Sequence, residues 1–161
     1  MDPNKIELEQ VFEGLAASGM RTILWDANDL LVYADPGMHE LYERKEFKKS
    51  FGNVDLTPGM SWIDWTKQEI QLGIIQTPDD MNETEYLKKL QEDRKKIRDK
   101  RTREITFNNG VTVLSTDVRL SSGGLFSNFF DITEQKNQAK EKEQLSSALD
   151  STATSIVIFN K

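Results

Sequence analysis

Near residue 103 the apolar pattern of this chain changes period from 3.6 to 2, and that switch limits the folds open to it. Downstream, the runs 103–107, 111–120 and 125–132 read as strands, separated by Asn108-Asn109-Gly110 and Ser121-Ser122-Gly123-Gly124. Asn-Gly is a strong hairpin signal because a tight hairpin turn needs positive φ at its central residues. Three strands joined this way form a meander. Two more lie near the start, 21–26 (RTILWD) and 30–34 (LLVYA), with the turn Ala27-Asn28-Asp29 between them. A hairpin, a stretch of helices and a meander make an α+β fold: a five-stranded antiparallel sheet with a helical insert on one face, flanked by N- and C-terminal helices.

The helices carry their own punctuation. Leu8, Val11, Phe12 and Leu15 give residues 4–17 one apolar stripe, ended by Ser18-Gly19. Asp35-Pro36 opens a helix, with Asp as N-cap and Pro at the first helical position. Met38, Leu41 and Tyr42 form its apolar side. Residues 45–60 read as irregular and polar, up to the Pro58-Gly59 turn. Ser61 caps a helix running to about residue 72, with Asp64 three residues on. Asn82 and Glu85 do the same for a helix over 82–99, whose inward stripe is Tyr86/Leu87, Leu90, Arg94 and Ile97. Asp131-Ile132-Thr133 leads into a last helix over 134–150, charged first and apolar later, with Leu145, Ala148 and Leu149 on one side.

Composition narrows the function classes. The chain has 161 residues, a net charge of −6 and no cysteine. An acidic balance argues against a nucleic-acid surface, which would be basic. The basic stretch 88–103 interleaves Lys and Arg with Glu and Asp at helical spacing, the mark of a solvated, ion-paired face. Without cysteine there is no disulfide, no zinc–thiolate site, no cysteinyl-flavin adduct and no c-type haem attachment. A reducing, cytoplasmic location is compatible with this usage. No apolar run is long enough to span a membrane, and the opening MDPNKIELEQ lacks the pattern of a signal peptide. No Gly-rich phosphate loop, nucleophile elbow or catalytic carboxylate pair stands at a recognisable spacing. No catalytic residue and no metal ligand is therefore assigned. His39, the single histidine, is expected to face solvent beside Glu40 and Glu43.

The order of elements, together with Asp131-Ile132-Thr133-Glu134 at the exit, resembles a PAS domain. Trp25-Asp26, Glu40-Leu41-Tyr42, Pro58-Gly59-x-Ser61-Trp62 and the Gly123-Gly124 turn belong to the same resemblance, which covers about residues 14–136. It is closest to the tandem PAS domains of bacterial histidine kinases, diguanylate cyclases and class III nucleotide cyclases. Two positions depart from the pattern: Asp35 stands where Asn is frequent, and Val111-Thr112 follow Gly110 in place of Arg-Trp. The resemblance implies a sensory, non-enzymatic module that acts as a homodimer. Asp131, Ile132, Thr133 and Glu134 would pass a change in the sheet to the exit helix and an output domain. The cofactor is unspecified. A structural dimerisation module with a filled core is the alternative.

A mostly apolar pocket with a few polar groups is the usual form of a small-molecule site. The candidate pocket residues are Trp25, Tyr33, Met38, Tyr42, Trp62, Trp65, Leu114, Val118 and Phe129. In the last strand Leu125 and Phe129 point to one face, Phe126 and Phe130 to the other. A sheet apolar on both faces needs cover on both. Leu8, Val11, Phe12, Leu15, Phe126, Phe130, Leu145 and Leu149 are the candidates for dimer contacts.

Finally, 145–161 echo 11–27 at a constant offset, with Leu149 on Leu15 and Ile156–Asn160 on Thr22–Asp26. Repetition at this spacing suggests tandem modules. The expected organisation is an N-terminal helix (1–19), a PAS domain (20–133), a connector helix (134–150) and the opening of a second PAS module with its first strand (151–161).

Overall fold

In the computed structural model, the sheet order is β2-β1-β5-β4-β3, every neighbouring pair antiparallel. The structure describes the backbone of residues 3–159 and the side chains of 10–45 and 47–151. In chain order the elements are α1 (Pro3–Ala17), β1 (Arg21–Trp25), β2 (Leu31–Ala34), α2 (Pro36–Glu43), α3 (Lys45–Phe51), α4 (Trp62–Gln71), α5 (Glu83–Lys95), β3 (Lys100–Thr106), β4 (Thr112–Arg119), β5 (Leu125–Asp131) and α6 (Thr133–Phe159). Residues up to Asp131 form one compact unit; Ile132 onward form a second. The α+β class, the five antiparallel strands and the PAS-like order of elements agree with the sequence reading.

The caps form where the sequence puts them. Asp35 accepts from the Met38 amide at 3.0 Å and also from the Thr22 amide, so one buried carboxylate starts α2 and ties it to β1. Ser61 Oγ accepts from the Asp64 amide at 3.1 Å. Asn82 and Glu85 exchange hydrogen bonds in a full capping box. At the β4–β5 turn, Gly123 adopts positive φ, and a Cβ on Gly124 would lie 2.5 Å from the Trp25 carbonyl oxygen. The turn and the β1–β5 pairing therefore require that glycine.

Three local expectations change. Residues 45–51 are helical, because Phe47 and Phe51, four apart, reach the core and stack edge-on at 4.9 Å. α5 stops at Lys95 and β3 starts at Lys100, three residues before the expected strand. The stop is made by tertiary donors: the Arg119 guanidinium donates to the Arg94 and Ile97 carbonyls, at 3.2 and 3.1 Å. The Arg94 carbonyl belongs to the last turn of α5, where a helix leaves its carbonyls without helical partners, and Ile97 lies just beyond it. The third change is at the far end. α6 stays helical to Phe159, where the repeat predicted a strand from 156. A strand needs a partner ladder, whereas a helix pairs its backbone groups internally.

The core fills the space between the sheet's inner face and α2–α5. Ile23, Trp25, Leu125, Val113, Met38, Tyr42, Trp62 and Ile74 are among its buried members. The outer face carries Leu24, Leu114, Val118, Phe126 and Phe130, as the cross-strand register dictates. α1 covers part of it: Phe12 stacks on Tyr33 with ring centroids 4.3 Å apart.

Candidate functional site

A cavity of about 380 Å³ lies between the insert helices and the inner sheet face. Its apolar walls come from Met38 and Leu41 of α2, Trp62 and Trp65 of α4, Leu90 of α5, and Val113 and Phe129 of the sheet. Of the sequence candidates, Met38, Tyr42, Trp62, Trp65 and Phe129 come together there. Trp25, Tyr33, Leu114 and Val118 do not. Trp25 is buried one layer away, its ring 5.6 Å from that of Trp65. Tyr33 meets Phe12 on the opposite face. Leu114 and Val118 pair with Phe130 and Phe126, which puts them on that outer face too. On β4 the inward positions are Val113, Ser115 and Asp117, all buried.

The polar part of the lining was missed by a search for apolar residues. Glu69 of α4 is buried and accepts a hydrogen bond from the Tyr42 hydroxyl at 2.9 Å. Burial pushes its carboxyl up to about 8 from an ordinary 4.5, against the opposing pull of that hydrogen bond and of Arg103. The same environment holds the Tyr42 hydroxyl well above the usual phenol range, through burial first and the neighbouring Glu69 second. Near neutral pH the pair is therefore uncharged.

Arg94 is the buried cation of the site. Its Nε donates to Asp29 Oδ1 at 2.9 Å. Its guanidinium carbon lies 4.7 Å from the Trp62 ring centroid and 5.3 Å from that of Trp25, cation–π range for both. Burial lowers its pKa while Asp29 opposes the shift. Asp29 reaches this place from the β1–β2 turn, where it holds a left-handed φ of 59° that Asp tolerates better than most residues. Asp117 accepts from Arg101 at 2.8 Å and from Ser127 Oγ at 2.7 Å. One signal for Arg94 was present in the sequence: a charged residue in the apolar stripe of its helix.

No family model and no curated protein matches the chain. Among solved structures it is similar to the PAS domain of BvgS from Bordetella pertussis. That match has 13 % identity and a TM-score of 0.43, and covers 91 % of this chain and 98 % of that one.

The remaining candidates are not among the residues that line the cavity. Asp131 ends β5, and Arg44 sits 3.8 Å from its carboxylate on a half-exposed surface. Thr133 is the first residue of α6 and Glu134 lies in its first turn, with Ile132 between strand and helix. Val11 and Phe130 are 60 % and 40 % exposed, Leu145 and Leu149 63 % and 62 %. Phe12, Leu15 and Phe126 are half-buried. The side chain of Leu8 lies outside the described residues. His39 is exposed. Among the described residues no helix is long and apolar enough to cross a membrane, and no three His, Asp or Glu side chains cluster as a metal site.

Proposed function

We propose that this chain is a sensory PAS module of a bacterial signalling protein. It binds a small molecule in the cavity, and the change passes to α6 and onward to an output domain such as a nucleotide cyclase, diguanylate cyclase or histidine kinase. The observation that carries the reading is the cavity itself, apolar in its walls, with buried polar groups converging on it. β5 supplies a physical route. Ser127 and Phe129 line the cavity, and two residues further on Asp131 ends the strand that leads through Ile132 into α6. A ligand that pushes on Phe129 acts about 7 Å from that junction along a single strand. Asp131, Ile132, Thr133 and Glu134 are then the transmitting residues. The response is bounded by the ligand's difference in affinity for the two states.

A second reading, dimerisation, is favoured by the exposed apolar residues Val11 on α1, Phe130 on the outer face, and Leu145 and Leu149 on α6. It is compatible with the first: a homodimer would receive the shift of α6. It replaces the first only if the cavity has no ligand.

Denaturing mass spectrometry of the purified chain, followed by thermal shift against a metabolite library, tests the reading. A co-purifying molecule whose return to the stripped chain raises Tm supports it. No bound molecule and no shift with any compound would leave dimerisation as the function.

A further inference from the structure

We infer that the cavity takes a small organic monocarboxylate with an apolar body, held by Arg94 and Ser115. This deepens the ligand-binding reading above and rests on it. Among the described residues, the buried side-chain polar atoms without a hydrogen-bond partner include Arg94 Nη2 and Ser115 Oγ. Both belong to residues lining the cavity, and each of those residues is more than nine-tenths buried. Buried polar groups without partners are costly and uncommon, so two lining one cavity call for an explanation. The guanidinium can only donate, and the hydroxyl can donate. The matching ligand presents acceptors.

Ser115 lies two residues from Asp117 on the same inward face of β4, and Asp117 is close enough to raise the pKa of Arg94. Asp29 takes the Nε side of Arg94, and Arg101 takes Asp117. Arg103 and Glu104, neighbours on β3 and both on the lining, are exposed, and Glu69 is a buried carboxyl held by Tyr42. Arg94 is the buried cation of the lining, and its unpartnered Nη2 suits a single carboxylate. Trp62, Ile75, Leu90 and Phe129 supply the surface for an apolar body. A volume of about 380 Å³ suits a compact acid.

The test uses the full chain with four probes: phenylacetate, 4-methylpentanoate and the corresponding two amides, measured by calorimetry and thermal shift. The acids are expected to bind and raise Tm, the amides to bind at least about tenfold more weakly, because a charged acceptor strengthens each hydrogen bond. Ser115→Ala removes one unpartnered donor and no charge. For Ser115→Ala the unliganded Tm should hold or rise, while affinity for the acids falls about tenfold. Amides binding as tightly as acids would overturn the carboxylate inference while leaving a ligand-binding cavity. So would a Ser115→Ala variant with lower Tm and undiminished affinity, the outcome expected if water or the fold itself uses the hydroxyl. Binding of none of the four probes also overturns it; mass spectrometry of the purified chain then decides separately whether any ligand is bound.

Discussion

Replacing Glu69 by Gln should change how stability depends on pH, and the size of the change follows from its surroundings. The carboxyl is buried beside the Tyr42 hydroxyl, and its pKa rises from 4.5 to about 8 in the folded chain. The folded state therefore holds the proton more tightly than the unfolded state. Stability from this group is fully present below pH 4.5 and is lost as pH rises toward 8, at about 1.4 kcal/mol per pH unit. From pH 5 to pH 8 the loss approaches ~4 kcal/mol, a large part of the 5–15 kcal/mol typical of a folded domain. The glutamine side chain has the same shape, offers its carbonyl to Tyr42 and cannot ionise. The two proteins should be of similar stability at pH 5, and Glu69→Gln should be the more stable by several kcal/mol at pH 8.5. Urea unfolding followed by tryptophan fluorescence at pH 5, 6, 7 and 8.5 measures both. The difference between the two curves isolates Glu69 from the other titrating groups. Parallel curves across this range would show that the carboxyl ionises freely in the folded chain, and the account of this end of the cavity would be wrong.

Three further substitutions probe what holds the site in place. Gly124→Ala should destabilise by about 2 kcal/mol or more, since its Cβ would meet the Trp25 carbonyl oxygen at 2.5 Å and force the turn to move; thermal unfolding reads this directly. Asp35→Ala removes the acceptor for two buried amides, Thr22 and Met38, and should cost about 2–4 kcal/mol in chemical denaturation, with Asp35→Asn recovering part of it. Arg44→Ala, by contrast, breaks only the half-exposed 3.8 Å contact with Asp131 and should shift stability by less than about 1 kcal/mol. A large loss there would mean that the start of the exit helix depends on this pair.

The sequence by itself determined the elements whose signals are local. The Asn82–Glu85 capping box, the Asp35 and Ser61 caps, the Asn109-Gly110 hairpin and the Gly123-Gly124 turn each satisfy backbone groups within a few residues, so their chemistry is written in adjacent letters. Other features needed partners distant in the chain. α5 ends where Arg119, 24 residues beyond the last helical residue Lys95, caps its carbonyls. The inward face of β4 could not be chosen from its own pattern. Leu114 and Val118 are the more apolar set, yet the inward positions are Val113, Ser115 and Asp117, because the apolar set packs beside Phe130 and Phe126 on the outer face and the cavity side is partly polar. Period two says that alternate residues share a face, and only the packed neighbours say which face is inside. The same holds for Arg94 and Glu69. Their helical positions were legible, but their burial, their partners Asp29 and Tyr42, and the shifted proton affinity of Glu69 arise from desolvation that exists only once helices and sheet have closed around them.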